Sequence, residues 1–490
     1  MRIPINRQNS IPLYQQIQNY LREQILSGHL PAGIRLPASR KLAQDLGVSR
    51  ITVQNAYGNL ESEGLIGSRE GSGSFVMEPI TSQSIKKENA PISWPLWQRE
   101  LIKHEEQIPN TNIDLQTNQP TNQNIISFTG VGDPKHFPAK DFYKAMQTVF
   151  RNEGVSALEY GKLGAGDLAL RNTITHLLAS QGIRTHPEQT LITSGSQQAL
   201  ALICQVLLKP GDVILVEKPT YNVALDLFRS CDLKIVGVPI DENGLQLERL
   251  EPLLQQYHPR LLYTIPNFQN PSGVCMSGTR RRALIELAGR YNLPILEDDF
   301  VGDLRYNGRS QPAIKALDPG GRVIYVGTFS KMLMPGLRVG YLVADGPIFN
   351  RLVQAKQVTD LTTSTLIQRT LNEYVTIGRY QIHLRRSTRL YRKRRDAMLA
   401  AIVHHLPDDV QVMHPNGGLF VWVRLPAGIS TDELLPLAIS EGVEFAPGSR
   451  FFPAPEEGIQ FLRLNFATQA PEKIDEGIRR LNAAIEQLMR

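Results

Sequence analysis

From about residue 126 onward, short apolar segments alternate with segments of helical periodicity, and this alternation constrains the fold more than any other feature of the chain. The apolar segments are short, rich in β-branched residues and bounded by turn residues, as buried strands are. Strands that alternate with helices form a mostly parallel sheet covered on both faces. The predicted strands are Thr190–Thr193, Asp212–Val216, Leu233–Val236, Leu261–Ile265, Leu293–Leu296 and Val323–Val326.

A lysine follows the last of these strands, in the segment Gly327-Thr-Phe-Ser-Lys-Met-Leu-Met-Pro-Gly-Leu-Arg-Val-Gly340. Lys331 would place an amine at the carboxyl end of the sheet, where α/β proteins bind their ligands. Arg338 would return a fixed positive charge to the same turn, and the nearby hydroxyls of Thr328 and Ser330 would complete a site suited to a phosphate dianion. An isolated Ser-Lys pair is more often a surface turn, so the interpretation depends on the other strand ends.

Polar residues also follow other predicted strands. A turn of small residues opens a helix at Ser196 and Gln197, where backbone N–H groups would form an anion site, although an ordinary N-cap also explains the serine. Tyr221 would bring an aromatic ring to the same edge of the sheet, Asn270 an amide, and Asp298 a carboxylate. The chemistry is therefore predicted to gather at the strand ends.

In order and approximate spacing, these turns and the lysine segment resemble fold-type I pyridoxal 5′-phosphate (PLP) aminotransferases over residues 126–490. The resemblance implies that Lys331 forms a Schiff base with the cofactor aldehyde, for which an amine is required. It implies Asp298 as the partner of the pyridine nitrogen and Arg463 as the anchor of a substrate α-carboxylate, whose shape the planar guanidinium matches. The remaining implied cofactor contacts are Ser196, Gln197, Thr328, Ser330 and Arg338 at or beside the phosphate, Tyr221 stacked on the ring and Asn270 on its phenolic oxygen.

Two details of this resemblance concern assembly and activity. Tyr160 matches the tyrosine that the family sends into the phosphate site of the neighbouring subunit, which implies a homodimer with shared sites. Relatives usually carry a tyrosine two or three residues after the aspartate that binds the pyridine nitrogen, whereas this chain has Phe300 and Val301. Loss of that hydroxyl should change the electronics of the bound cofactor more than its binding.

Residues 11–77 have a different pattern, that of three short helices followed by a hairpin. The first helix ends before Gly28, the second is predicted to begin with Ser39 as its N-cap and to end at Gly47, and Ser49 caps the third. Two helices joined by a short glycine-containing turn form a helix-turn-helix, and the Gly/Ser-rich hairpin that follows would be a wing. The predicted buried stripe of the third helix is Val53, Ala56, Tyr57 and Leu60.

The segments Leu36-Pro-Ala-Ser-Arg-Lys-Leu-Ala43 and Gly47-Val-Ser-Arg-Ile-Thr-Val53, followed by a glycine-rich wing, resemble the GntR-type winged helix. Residues 1–77 carry eight Lys and Arg against five Asp and Glu, a net charge of +3 that supports contact with phosphates. The alternative is a helical dimerisation cap without a role on DNA. The residues that the resemblance places on DNA are Arg40, Ser49, Arg50, Thr52, Gln54 and Gly71.

Length and composition predict several domains. A chain of 490 residues with 41% apolar and 20% charged side chains is too long for one core. We expect a winged helix over residues 1–78, a flexible linker over the polar residues 79–125 and an aminotransferase-like domain over residues 126–490. Its large part would end near residue 380 and its small α+β part would follow. The basic segment 383–395 fits a solvated helix face or a secondary surface for DNA.

Three widely separated cysteines indicate a reducing cytosol rather than a disulfide framework. No segment reaches the ~20 apolar residues of a membrane span, so we expect a cytoplasmic protein without a membrane partner, and no metal site is predicted.

The order of winged helix, linker and aminotransferase-like domain resembles the MocR (GabR-like) subfamily of GntR-type regulators. The resemblance implies a PLP-dependent transcription regulator that binds a double-stranded DNA operator. The resemblance further implies that this regulator senses a small amino compound, which would displace Lys331 from the cofactor by transaldimination. One alternative is a working aminotransferase with an incidental DNA-binding domain, and Phe300 in place of the usual tyrosine argues against it. The other is a repressor with a silent fold, against which the retention of Lys331 beside Asp298 and Arg463 argues.

Overall fold

The computed structural model describes residues 3–7, 11–69, 73–77, 125–130, 132–161 and 164–489. The chain divides into two compact units, residues 1–101 and 102–490. The predicted linker lies outside the described ranges except for residue 125, and Gly71 of the predicted wing lies outside them too. Within these ranges, no helix combines the length and the apolar character needed to cross a membrane.

The first unit contains three helices and a two-stranded hairpin. The stripe predicted for the third helix is confirmed, because all four of its residues are buried in one apolar cluster with side chains of the first two helices. Ser49 caps that helix by accepting a hydrogen bond from the Thr52 N–H at 3.1 Å. The elements are α1 (Leu13–Leu26), α2 (Ser39–Leu46), α3 (Arg50–Ser62), β1 (Ile66–Arg69) and β2 (Gly73–Val76).

The predicted cap of α2 is wrong by one residue. Ser39 is the first helical residue, Ala38 occupies the N-cap position, and no side chain caps this helix end. The C-terminal end is as expected, because Gly47 adopts the left-handed conformation with φ of 61° that commonly ends a helix. The wing is an antiparallel ladder in which Ile66 pairs with Val76, and Arg35 adds an isolated bridge to Phe75.

An eight-stranded sheet forms the centre of the second unit, with the strand order β4-β11-β10-β9-β8-β5-β6-β7. The strands from β10 to β6 pair in parallel, whereas β11 and β7 are antiparallel to their neighbours. The mostly parallel sheet is therefore confirmed. Its strands are β4 (Thr190–Thr193), β5 (Val213–Lys218), β6 (Lys234–Asp241), β7 (Gly244–Leu245), β8 (Leu261–Thr264), β9 (Ile295–Asp299), β10 (Val323–Thr328) and β11 (Gly340–Val343).

Helices bury both faces of this sheet. Along β5, Ile214 and Val216 belong to one apolar cluster and Leu215 belongs to another, as the two-residue period of a strand requires. Both faces are thus apolar, which explains the continuous hydrophobic runs in the sequence. The helices of this part are α4 (Ala139–Glu153), α5 (Leu168–Ser180), α6 (Ser196–Leu207), α7 (Asn222–Ser230), α8 (Leu247–Tyr257), α9 (Gly278–Tyr291), α10 (Pro347–Asp360) and α11 (Thr365–Thr376).

The C-terminal part is a smaller α+β layer with the strand order β12-β13-β16-β15. The short strands β3 (Ile126–Ser127) and β14 (Val443–Glu444) pair in parallel and bring the start of the second unit against this layer. Its other elements are α12 (Arg379–His405), β12 (Gln411–Met413), β13 (Phe420–Arg424), α13 (Thr431–Ser440), β15 (Ala446–Pro447), β16 (Phe461–Asn465) and α14 (Pro471–Leu488).

The basic segment at the start of α12 has two roles. Arg394 and Arg395 are buried, and Arg394 pairs with Asp133 at 2.8 Å, so these two arginines hold the layers together. Arg385, Arg389 and Lys393 are exposed on the same helix. The two buried arginines at the end of the segment are therefore structural, whereas its other arginines and its lysine face solvent.

Candidate functional site

A cavity of about 280 Å³ opens at the carboxyl ends of the central parallel strands. Loops after β5, β8, β9 and β10 form one side, and the small C-terminal sheet supplies the other. The polar residues that follow these strands come together here because parallel strands all end at the same edge of the sheet. The residues that line the cavity are Thr129, Gly130, Ser196, Tyr221, Asn222, Val223, Ile265, Asn270, Asp298, Phe300, Lys331, Phe420 and Arg463.

Lys331 follows β10 and lines this cavity, as predicted from its segment. The pKa of its ammonium is lowered to about 8, chiefly by burial and also by the charges of Arg463 and Arg338, while the charge of Asp298 acts in the opposite direction. At pH 7, roughly a tenth of such an amine is neutral, compared with about one part in three thousand for an ordinary lysine. The cavity therefore makes Lys331 a usable nucleophile near neutral pH.

Asp298 is the second-to-last residue of β9 and is only 3% exposed. Its Oδ2 accepts a hydrogen bond from the Tyr263 hydroxyl at 2.8 Å, while Oδ1 is buried with no hydrogen-bond partner among the described residues. Burial raises the pKa of Asp298 to about 7, and the Tyr263 hydrogen bond acts in the opposite direction. A buried carboxylate oxygen that lacks a donor fits the protonated pyridine nitrogen of PLP.

The loop between β4 and α6 forms a second polar end of the site. Gly195 caps α6 with φ of 101° and ψ of 168°, a conformation essentially restricted to glycine. A Cβ atom there would lie 2.8 Å from Arg338 Nη2, and that nitrogen donates a hydrogen bond to the Ser194 carbonyl oxygen at 2.8 Å. Ser330 Oγ is buried without a hydrogen-bond partner among the described residues. The helix N-terminus, the arginine and the unsatisfied hydroxyl fit a phosphate group.

Two predicted phosphate residues occupy less direct positions. The Thr328 hydroxyl accepts a hydrogen bond from the Ser330 N–H at 3.1 Å and lies 3.4 Å from the Val339 carbonyl oxygen, so it shapes the lysine loop and does not line the cavity. Gln197 donates to the Val223 carbonyl oxygen at 3.4 Å, and its own side-chain oxygen is buried without a partner among the described residues. Direct contact of either side chain with phosphate stays a prediction.

Arg463 reaches the cavity from β16 of the small sheet. Its guanidinium lies between two rings, 4.2 Å from the centre of Phe420 and 4.8 Å from the centre of Phe451. Its Nη1 also donates a hydrogen bond to Asn270 Oδ1 at 2.9 Å. Stacking and hydrogen bonding fix the orientation of this fork, which suits a carboxylate that must be held in one position.

Tyr221 stands at the start of α7 and lines the cavity, where burial raises its hydroxyl pKa to about 12. Phe300 also lines the cavity and stacks on Phe420, with 6.2 Å between ring centres. Val301 is buried outside the cavity lining. Tyr160 is not among the residues of this chain that line the cavity; it is 69% exposed, and its backbone oxygen accepts a hydrogen bond from the Thr365 hydroxyl.

Several lining residues were not predicted. Thr129 and Gly130 follow the very short strand β3, and Phe420 comes from the small sheet more than 80 residues after the lysine. The sequence predicts Tyr263 only as part of an apolar strand, although a tyrosine on a strand that ends at a ligand site is a signal for a hydrogen-bonding role. The turn Ser127-Phe-Thr-Gly130 offered a similar polar signal at a strand end.

In the first unit, the predicted DNA-facing residues fall into two groups. Arg40, Arg50 and Gln54 are exposed. The side-chain hydroxyls of Ser49 and Thr52 are hydrogen-bonded to each other, with 2.8 Å between their oxygens, so they also stabilise the start of α3. Ile51 is 67% exposed on the same turn and was missed by sequence reasoning. An apolar side chain at this place could contact a thymine methyl group.

The fold and the lysine, aspartate and arginine around one cavity define a PLP-binding domain of the aminotransferase type, joined to a winged helix. Residues 125–481 match the family described as aminotransferase class I and II, and residues 13–76 match bacterial regulatory proteins of the gntR family. The chain belongs to the aminotransferase class I and II family and, with its GntR domain, is a PLP-dependent transcription regulator of the MocR type.

Relatives of both kinds support this assignment. The probable rhizopine catabolism regulatory protein MocR of Rhizobium meliloti is 32% identical over 489 residues, which cover 98% of this chain and 95% of that protein. Aromatic-amino-acid aminotransferase 1 of Thermococcus litoralis is 40% identical over 373 residues, 75% of this chain and 89% of the relative. The crystal structure of the α-aminoadipate aminotransferase LysN from Thermus thermophilus, complexed with N-(5′-phosphopyridoxyl)-L-leucine, is 36% identical with a TM-score of 0.73. The match covers 80% of this chain and 99% of the LysN chain.

Proposed function

We propose that this regulator senses a small compound that carries both an amino group and a carboxylate. The observation that carries the proposal is that Lys331, Asp298 and Arg463 line one cavity, each with chemistry suited to a different part of such a compound or of the cofactor. When bound, PLP supplies an aldehyde that exchanges amines reversibly and a ring that withdraws electrons. Asp298 would hold its pyridine nitrogen, and Arg338, Ser330 and Ser196 would hold its phosphate.

The effector amine would take the place of the Lys331 amine on the cofactor aldehyde. Lys331 is suited to both halves of this exchange, because a pKa of about 8 lets it accept or release a proton near neutral pH. Arg463 would orient the effector through a bidentate contact with its carboxylate. Tyr221 and Phe420 would exclude water from the two sides of the cavity.

The binding groups come from two parts of the second unit. Lys331 and Tyr221 follow strands of the large sheet and Asp298 lies near the end of one, whereas Arg463 and Phe420 stand on the small sheet. A ligand that contacts both groups would favour their approach. For the ligand to regulate, it must bind two conformations unequally, and ~1–3 kcal/mol is the usual size of such coupling. The conformation that the ligand favours would bind operator DNA with a different affinity from the other conformation.

The test is to titrate amino acids and simple amines into the full-length protein loaded with PLP while recording its absorbance and its footprint on upstream DNA. We expect at least one amino acid to change both signals at the same concentration. Lys331→Ala should abolish both responses, whereas Lys209→Ala, which removes an exposed lysine outside the site, should not. A DNA response to every active compound that survives Lys331→Ala would refute the sensing mechanism.

We also propose a homodimer whose sites are completed by Tyr160 of the partner subunit. Tyr160 is exposed beside Val155 and Leu158, which are 82% and 61% exposed, so this edge offers apolar surface for a second copy. Mixing Lys331→Ala and Tyr160→Ala chains tests the idea. If Tyr160 acts across the interface, each mixed dimer regains one intact site and binds PLP tightly at that site. If it acts within its own chain, no intact site forms.

The domain boundaries near residues 78 and 125 are part of the same proposal. Limited proteolysis of the full chain should cut first between these positions, and each fragment should keep its own activity, DNA binding or PLP binding. Early cleavage inside the second unit would contradict these boundaries.

A second candidate is a working transaminase, favoured by the 40% identity to the Thermococcus litoralis aminotransferase. The retained lysine, aspartate and arginine are compatible with turnover, but Phe300 and Val301 provide no hydroxyl beside the cofactor ring. Keto-acid production from a panel of amino acids distinguishes the two. Steady turnover at enzymatic rates without any change in the DNA footprint would favour the enzyme.

A further inference from the structure

A second cavity, of about 470 Å³, lies between the small sheet and the ends of β5 and β6. It shares no lining residue with the cofactor cavity. Its size falls in the range of about 300–1,000 Å³ that small-molecule sites occupy. The lining residues are Lys218, Pro219, Ile240, Asp241, Ser272, Gln411, Val412, Met413, Trp422, Arg424, Phe452 and Phe461.

One wall of this second cavity is aromatic. Trp422 stacks almost parallel to Phe461, with 5.3 Å between ring centres and 8° between planes, and Phe452 lies 6.5 Å from Trp422. Met413 packs against the same cluster. An aromatic face in a concave site binds flat apolar groups by stacking and by removing their surface from water.

The charged residues at this cavity differ in their partners. Lys218 pairs with Glu457 at 2.6 Å, and Arg280 neutralises Asp241, with Nη2 and Oδ2 3.1 Å apart. Arg424 is exposed and has no ion pair among the described residues. Its guanidinium lies 5.7 Å from the Phe461 ring centre and 3.5 Å from the Gln460 side-chain oxygen. The available charge beside the aromatic wall is therefore positive, and guanidinium geometry selects a carboxylate.

Both walls of the second cavity continue into the cofactor cavity. On the large-sheet side, Lys218 and Pro219 line the second cavity and Tyr221 lines the first. On the small-sheet side, Trp422 lines the second cavity and its cross-strand partner Arg463 lines the first.

The two walls also meet between the cavities. The Thr220 N–H donates a hydrogen bond to the Phe451 carbonyl oxygen at 2.8 Å, which joins the loop after β5 to the segment after β15. The centre of the Phe451 ring lies 4.8 Å from the Arg463 guanidinium and 5.6 Å from the centre of the Trp422 ring. A molecule that separates or draws together the walls of the second cavity would therefore move the groups that hold the cofactor and the effector.

We propose that the second cavity binds an aromatic carboxylate, with its ring on Trp422 and Phe461 and its carboxylate on Arg424, and that its occupancy changes the reactivity of the cofactor cavity. This site is separate from the amine-sensing function proposed above and does not require it. The ligand needs no amino group, because the acidic side chain that lines this cavity, Asp241, is already paired with Arg280.

The experiment uses the full-length protein loaded with PLP and indole-3-acetate as the probe, since this aromatic carboxylate has no amine to react with the cofactor. Isothermal titration calorimetry should show one site per chain. Arg424→Glu should weaken binding roughly tenfold or more, as expected for loss of a charge-assisted hydrogen bond and reversal of the charge. Arg424→Lys should retain part of the affinity, and Arg463→Ala should leave it within about twofold.

Coupling is measured by the rate at which aminooxyacetate removes the cofactor absorbance. Saturating indole-3-acetate should change this rate at least twofold in the wild-type protein and should have no effect in Arg424→Glu. Absence of binding overturns the site, as does binding that is lost in Arg463→Ala but kept in Arg424→Glu, because the probe then occupies the cofactor cavity. Binding at Arg424 with an unchanged aminooxyacetate rate overturns the coupling.

Discussion

Replacing Gly195 by alanine should weaken PLP binding through Arg338 rather than through loss of stability. Gly195 caps α6 in a conformation that alanine adopts only under strain, so the substitution should cost about 1–3 kcal/mol of folding free energy. The new Cβ would also meet Arg338 Nη2 at 2.8 Å. The end of an arginine side chain can move away at little cost, but it then leaves the Ser194 carbonyl and the predicted phosphate position.

Gly346 provides a matched control. It caps α10 with φ of 75° and ψ of −159°, in the same glycine-restricted region, and a Cβ there would have no atom within 4 Å. Gly346→Ala should therefore lose a similar amount of stability while its PLP affinity stays the same. Gly195→Ala should also lose about one charge-assisted hydrogen bond of 1.5–3 kcal/mol, or roughly 10- to 100-fold in PLP affinity.

The assay combines chemical denaturation of the cofactor-free proteins with equilibrium titration of PLP followed by absorbance. Equal losses of PLP affinity in the two variants would mean that backbone strain, and not Arg338, controls the phosphate site. Unchanged PLP affinity in Gly195→Ala would show that Arg338 does not contribute to the site, and the placement of the phosphate would then be wrong.

Three other predictions concern titration and DNA. The rate at which cofactor-free protein captures PLP should rise with pH through about 8, because Lys331 reacts only when neutral. Arg463→Met should move this midpoint upward, because it removes a charge that lowers the Lys331 pKa. A midpoint near 10 in the wild-type protein would contradict the buried environment of Lys331. Tyr263→Phe removes the hydrogen bond that lowers the Asp298 pKa, so the Asp298 carboxyl should be protonated at pH 7. At that pH the variant should bind PLP roughly tenfold more weakly than the wild-type protein, and the difference should be smaller above pH 8. A loss of affinity that does not depend on pH would point to packing instead. On operator DNA, Arg50→Ala should reduce the slope of log affinity against log salt concentration by about 1 for all sequences. Gln54→Ala should instead relax discrimination at one base pair by about 1–3 kcal/mol. Identical effects of both substitutions would place neither residue on a base.

The sequence was most informative where local pattern and chemistry agreed. Six strands of the large sheet were predicted from apolar runs, which are continuous because most of these strands are buried on both faces. The cavity residues after them were predicted because parallel strands end together. The stripe of α3 followed from helical spacing alone. In these cases the information lies within a few residues of the element.

Features that depend on distant partners were missed. The strand β11 was not predicted, because its antiparallel place between β4 and β10 depends on hydrogen bonds to β10 on one side and, on the other, to residues more than a hundred positions earlier in the chain. Phe420 and Phe451 give no local sign that they enclose Arg463. The hydrogen bond between Asn270 and Arg463 joins positions 193 residues apart. The strand-end pattern pointed to Asn270, but only the resemblance placed Arg463 at the site.

The enclosure of Arg463 by two rings and one amide has a consequence for signalling. A fork that is already held in place loses little conformational freedom when a carboxylate arrives, so little of the binding free energy is spent on ordering it. More of that free energy remains to favour one arrangement of the two sheets over the other. In this protein, stiffness at the point of ligand contact is what would make movement elsewhere responsive to the ligand.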